Sequence, residues 1–391
     1  LTGQIWADGK VSGTITQPNL SFSLNAQQVN YDGVDYPSSQ ADLILNRQSM
    51  NLKTQMIGRQ LQIDTLWPWS SNSPYTFKLQ VRDLNPLLFL PLISLPQPSQ
   101  EYYSKLNAEV DLKGPNRHLT HSTGFFRIDD FMLQRGAQYL KMNKPASILF
   151  NNGLNQIDPI ELKGEGNSIS ILSTKKKSEQ IELSVIANLQ LKLFQFLVPF
   201  SQNLSGKITT DTQVILRENS FELLGLGQIS DMLILLSGFP QPIDHIETPL
   251  EFSKTKILLN DIKAQLGPNH IAGAGQIDIR GTKNILVNMQ AQAEHVEIVF
   301  PEKITTVGRA QAEFFGSWLP YNLKINYFFF SKISVFQNIK NTIKKRIRSE
   351  TVIIVVFKNP NVIMRINNIK ILIQNVQNLN INCFISLYSF F

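Results

Sequence analysis

Cysteine is almost missing. The single one, Cys383, lies near the C-terminus, so residues 1–327 contain no thiol. That excludes a disulfide scaffold and a Cys-ligated metal from this body, and it is compatible with an oxidising compartment. Long apolar runs are missing too. The longest, such as Val352 to Phe357, fall far short of the about 18 residues a helix needs to cross a bilayer. No signal-peptide pattern of basic flank and apolar core follows Leu1, so a natural start upstream is expected.

Cationic excess is missing from most of the chain as well. The net charge is +7, but residues 328–391 hold nine of the 37 Lys and Arg and only one of the 30 acids, Glu350. The remaining 327 residues therefore carry 28 bases and 29 acids, a balance of −1. No cationic face is visible on the body, so nucleic acid is not an expected partner.

Glycine disappears after Gly316, and beyond Tyr327 the chain becomes a run of Ile, Asn, Lys, Arg and Phe, as in "NTIKKRIRSETVIIVVFKNPNVIMRINN". Ile, Asn, Lys and Phe are residues that AT-rich codons encode. The composition points to an out-of-frame reading beginning near Tyr327, the alternative being an authentic amphipathic C-terminal segment. The expected division is thus a body at 1–327 and an irregular, basic tail at 328–391, outside the native fold.

Catalytic constellations are absent. The five histidines, His118, His121, His245, His270 and His295, are scattered, and His118 with His121 reads as a solvated loop pair, not a metal site. Asp129 and Asp130 are adjacent, so on a strand they point to opposite faces, the wrong arrangement for a working carboxylate pair. Gly-x-Ser-x-Gly and a Walker lysine are missing, and "STKKKSE", Ser173 to Glu179, reads as a hairpin tip. An enzyme is the weaker reading, with no cofactor or metal expected.

What is present is alternation. In "YTFKLQVRDL" the residues Phe77, Leu79 and Val81 share one face while Lys78, Gln80 and Arg82 share the other. "ILVNMQAQA" sets Ile285, Val287, Met289, Ala291 and Ala293 against Asn288, Gln290 and Gln292, and "DIKAQLG" sets Ile262, Ala264 and Leu266 on one side. This period of two predicts strands with one apolar and one polar face. Short breaks such as "DGV", "KGPN", "NNG" and "LGPNH" predict antiparallel meanders. Two apolar runs interrupted by proline, Leu84 to Pro98 and Leu191 to Phe200, read as a helical turn or two against the sheet, or as buried strands, with the short helix favoured. After these runs, "GFFRIDDFMLQRG" from Gly124 matches "GLGQISDMLILLSG" from Gly225 at an offset of 101 residues, which suggests repeating units at 84–188 and 189–300.

"IAGAGQIDIRG", Ile271 to Gly281, tests a phosphate-loop reading. From Gly273 the third fingerprint position is Asp278, and alternation continues where a helix is required. Gly-Gln-Ile recurs at Gly3, Gly227 and Gly275, so the expected element is a strand entry where glycine admits a bulge or tight bend.

Many apolar-faced strands and almost no amphipathic helix leave a face that water does not tolerate, at about 0.8 kcal/mol per exposed CH₂. A second sheet, a membrane barrel, a solenoid interior or a bound apolar ligand would each cover it. Irregular aromatics argue against the barrel, although the terminal Phe391 matches the last residue of many such barrels. Repeats of some 20 to 30 residues, the mark of a solenoid, are not found.

The Gly-x-Ile steps in "LTGQI", "VSGTI" and "LSGKI", the blocks "GTITQPNLSFSLNAQQVNYDG" and "HIAGAGQIDIRGT", and the closing "VEIVFPEKI" together resemble the TamB family, the translocation and assembly module proteins related to AsmA-like bridge proteins. The likeness covers roughly residues 1–327, in the family's C-terminal part. It implies a periplasmic protein of a Gram-negative bacterium, anchored in the inner membrane through an N-terminal segment, and built as a long, curled antiparallel β-sheet with a greasy groove. The implied roles are phospholipid transport between inner and outer membrane, and outer-membrane protein or autotransporter assembly with an Omp85-type barrel partner. On either reading the fold class is all-β with one or two short helices. Ile277, Ile279, Ile285, Val287, Met289, Ile262, Leu266, Phe77, Leu79 and Val81 are the candidates to line a trough for phospholipid acyl chains, the alternative being ordinary sandwich core.

Overall fold

The computed structural model describes residues 2–14, 17–31, 33–70, 73–93, 97–98, 101–115, 121–177, 180–217, 220–237, 241–280, 285–299, 305–317, 321–329 and 352–355. The chain divides into two compact units, Leu1–Leu189 and Gln190–Phe391. Both are all-β and antiparallel, the expected fold class, and the sheet is not closed into a barrel. Two short 3-10 helices are described, at Pro86–Ile93 and Leu191–Leu197. They fall in the two proline-interrupted apolar runs.

The first unit begins with β1 (Thr2–Thr14), β2 (Gln17–Tyr31), β3 (Val34–Tyr36), β4 (Ser39–Leu45) and β5 (Ser49–Met56). It continues with β6 (Leu61–Pro68), β7 (Tyr75–Leu84), β8 (Tyr102–Gly114) and β9 (Thr123–Arg135). From β4 to β9 each strand pairs with the next. Turn chemistry explains these short links: Asn46 closes the β4–β5 hairpin by accepting from the Gln48 and Ser49 N–H groups, each at 2.8 Å. Beyond β9 the sheet divides. β10 (Gln138–Met142) pairs with the second half of β9, while β11 (Ala146–Asn151) pairs with its first half. β12 (Leu154–Ile157) pairs with β11, and β13 (Ile160–Gly164), β14 (Asn167–Lys177) and β15 (Gln180–Gln190) continue from β10.

The second unit is a plain meander. Its strands are β16 (Ser201–Arg217), β17 (Ser220–Leu236), β18 (Ile243–Lys254), β19 (Lys256–Leu266) and β20 (Asn269–Ile279). They are followed by β21 (Ile285–Val299), β22 (Thr305–Ser317), β23 (Tyr321–Phe329) and β24 (Val352–Val355), each paired with the one before. The ladder therefore runs two residues past Tyr327, and four residues farther on add a strand. The rest of the region read as an aberrant tail lies outside the described residues, as does His118.

The segments matched at an offset of 101 residues occupy corresponding places. Each lies in the second strand after a 3-10 helix, β9 and β17. Gly124 has φ +136° and Gly225 φ +152°, and a Cβ on either would overlap the carbonyl of Asp111 or Asp211 on the strand before. Only glycine fits such a close approach.

Gly273 and Gly275 correct one expectation. They lie inside β20, not at its entry, and neither has a positive φ. A Cβ at Gly273 would sit 2.5 Å from the Gln290 carbonyl, and one at Gly275 2.6 Å from Met289 Cγ. Close approach of β21 is the requirement. The bulge is in the neighbouring β19, where the register shifts between Leu259 and Ile262.

Candidate functional site

Register fixes which side chains share a face, because directly opposed residues of an antiparallel pair point the same way. Ile277 opposes Val287, and Ile279 opposes Ile285. On the other side of β20, Ile257 opposes Ile277, Ile262 opposes Gly273, and Ala264 opposes Ile271. On β22, Phe314 opposes Met289, Ala312 opposes Ala291, and Ala310 opposes Ala293. The result is an apolar stripe across four consecutive strands with no charged member. Its glycines and alanines, where larger side chains would fill the space, leave room between the branched ones.

The stripe contains seven of the ten candidate residues. Ile262, Ile277, Ile279, Ile285 and Met289 are half-buried. Val287, at 2% exposed, and Leu266, at 5%, are sealed. Leu266 packs with Ala293 and Val296, joined by Ile243, Ile271 and Ala310, into one closed cluster. Phe200, just after the 3-10 helix, brings its ring within 5.9 Å of the Phe314 ring. The start of β16 thus meets β22 through side chains, although five strands separate them in the meander.

Phe77, Leu79 and Val81 have a different setting, in the first unit. Val81 packs with Ile57, Leu84 and Ala108, and the 3-10 helix lays Leu88 and Phe89 on that cluster. Phe77 and Leu79 lie against Tyr75, Val110 and Leu112 with Trp67, Phe126 and Phe150 around them. The helix is held in place by polar contacts. Asn85 accepts from the Leu87 N–H at 3.1 Å and from the Ser104 hydroxyl, and the Tyr36 hydroxyl donates to the Leu88 carbonyl at 2.7 Å. Beneath the aromatic cluster the Tyr75 and Ser122 hydroxyls share a buried hydrogen bond of 2.6 Å.

On the polar faces, the described carboxylates singled out by the sequence are engaged in ion pairs. Asp129 and Asp130 both reach cations, Arg127 at 2.8 Å and Lys105 at 3.7 Å. That departs from the opposite-face expectation, because the register shift at Asn107/Ala108 puts a bulge at this point of β9. Asp278, which ends the phosphate-loop reading, is 7% exposed and bonded to Arg280 at 2.7 Å and Thr255 at 3.0 Å. The Arg280 guanidinium holds its carboxyl below the usual carboxylate range, with Thr255 assisting against the opposing effect of burial. Lys105 and Asp83, 3.0 Å apart, shift each other in the same sense, the lysine up and the carboxyl down.

Among the described residues there is no group of three or more His, Cys, Asp or Glu able to hold a metal, and no helix long and apolar enough to cross a membrane. No family model, curated protein or solved structure matches this chain.

Proposed function

We propose that this chain is a hydrophobic-groove protein of the bacterial periplasm that passes phospholipid acyl chains between inner and outer membrane. The observation that carries the reading is the uncharged stripe from Ile257 to Phe314, with Ile277, Ile279, Ile285 and Met289 left half-buried. A track without a single deep site suits a chain that slides. Half-buried aliphatic residues gain from apolar contact at about 25 cal/mol per Å².

The test is mass spectrometry of lipid that co-purifies with the protein, followed by transfer between donor and acceptor vesicles. Bound phospholipid is expected, and Met289→Asp should abolish transfer while leaving the sheet folded. Val287 is unsuitable for that substitution, since a carboxylate at a position only 2% exposed would unfold the strand. An empty groove in pure protein, or undiminished transfer by Met289→Asp, would contradict the reading.

β1 supports a second reading, a scaffold for outer-membrane protein assembly with an Omp85-type barrel. Among the described residues this strand of 13 residues pairs only with β2, and all of it is exposed, Ile5 at 64% and Val11 at 72%. An open edge of that length is a template for a further strand. Consecutive N–H groups point to opposite edges, so one of the two variants Trp6→Pro and Ala7→Pro removes an outward donor and should disrupt client assembly. Assembly indifferent to both would leave lipid conduction alone.

A further inference from the structure

The tetrapeptide Ala-Gln-Ala-Glu occurs twice, at Ala291–Glu294 and Ala310–Glu313. The fold lays the two copies side by side and antiparallel, so that Gln292 opposes Gln311 and Gln290 opposes Glu313. One strand over, Ala274 opposes Gln290 and Ala272 opposes Gln292. On the polar face this makes a depression of about 740 Å³ with the methyl groups of Ala272 and Ala274 as its floor and Asn288, Gln290, Gln292 and Gln311 as its wall. These four amides make no side-chain hydrogen bond to another described residue.

The chemistry of the depression narrows its occupant. Each amide offers both donors and acceptors, the pairing a hydroxyl group satisfies in either direction. Glu313 is the only charged side chain in the lining, which disfavours phosphate and other anions. The backbone N–H and C=O groups of β20, β21 and β22 are already paired in the ladder, so an extended peptide has no edge to join. Phe315, 41% exposed and opposite Asn288, supplies an apolar ring at the margin. A flat ring with hydroxyls at its rim and C–H groups on its face matches all of these features.

We infer that this depression binds a neutral oligosaccharide, on the face of the sheet opposite the apolar stripe. The inference does not depend on lipid conduction. Saturation-transfer difference NMR on the full chain tests it, with maltohexaose, cellohexaose and chitohexaose as probes and dextran sulfate as the anionic control. Transfer to at least one neutral hexasaccharide is expected. The double variant Gln290→Ala/Gln292→Ala should weaken it about tenfold, the scale of one or two lost hydrogen bonds. Ala274→Glu, which fills the exposed floor, should abolish it, while Gln80→Ala on the first unit's polar face should have no effect. No transfer to any of the three sugars from folded protein would overturn the inference. So would unchanged binding by both depression variants, or binding of dextran sulfate in place of the sugars.

Discussion

The two units solve the same problem, an apolar sheet face, in opposite ways. The first closes its face with bulk: a 3-10 helix bearing Leu88 and Phe89, and an aromatic cluster of Trp67, Tyr75, Phe77 and Phe126. The second leaves its face partly open, with small residues between Ile277, Met289 and Phe314. The polar faces diverge in step. Asp42, Lys53, Asp64, Lys78 and Asp111 stand in one line across β4 to β8, with ion pairs of 3.7 Å at Lys53–Asp64 and 3.1 Å at Lys78–Asp111. On the corresponding surface of the second unit around β21, the amides of Asn288, Gln290, Gln292 and Gln311 make no side-chain hydrogen bond to another described residue, and Glu313 is the one charged side chain among the residues that line the depression. A surface that satisfies itself serves stability, whereas one with spare hydrogen-bonding capacity and spare apolar area is available to ligands.

That contrast is open to direct attack. The largest effect is expected at the matched glycines: Gly124→Val and Gly225→Val each force a side chain into a carbonyl, and urea unfolding should report losses of about 4 kcal/mol or more. Gly275→Ala should be milder, because the nearest atom it meets is the movable Met289 Cγ and the backbone atoms, Asn288 O and Met289 Cα, stand off at 3.0 Å. Leu193→Ala, at a position with no exposure in the 3-10 helix, should cost about 2–5 kcal/mol, against within about 0.5 kcal/mol for Leu226→Ala, which is 68% exposed. Tyr75→Phe removes the hydroxyl that shares a buried hydrogen bond with Ser122, at about 1–3 kcal/mol. Lys78→Ala should cost no more than about 1 kcal/mol, shrinking further at high salt, as exposed ion pairs do.

The smallest effect is one of pH. The Asp278 carboxyl titrates below its unfolded value, so its contribution to stability is complete above about pH 4 and is lost as pH falls through the lower, folded value. Asp278→Asn should flatten that acid limb and leave stability near neutrality less dependent on Arg280. An unchanged acid limb would remove the Arg280 contact from the account.

Alternation in the sequence was enough to place strands and faces. Phe77, Leu79 and Val81 share a face as their spacing requires, and so do Ile277, Ile279, Ile285, Val287 and Met289. Proline within apolar runs correctly marked the two 3-10 helices. What period-two reasoning misses is every departure from period two. The bulge in β9 puts Asp129 and Asp130 within reach of neighbouring cations, and the mid-strand glycines answer to a neighbouring strand that local sequence does not reveal. Contacts such as Phe200 with Phe314 depend on how far the sheet bends, which no local pattern encodes. The amide depression had a visible trace, the doubled Ala-Gln-Ala-Glu, but its meaning needed the register that sets the two copies side by side.

Met289 and Gln290 are consecutive on β21 and face opposite sides of the sheet, Met289 beside Phe314 and Gln290 beside Glu313. A photo-crosslinking amino acid placed at each in turn, with the protein supplied with phospholipid vesicles and the products read by mass spectrometry, tests the central claim most directly. Acyl-chain adducts at Met289 and none at Gln290 are expected. Equal labelling at the two positions, or labelling at Gln290 alone, would contradict an apolar face that carries lipid.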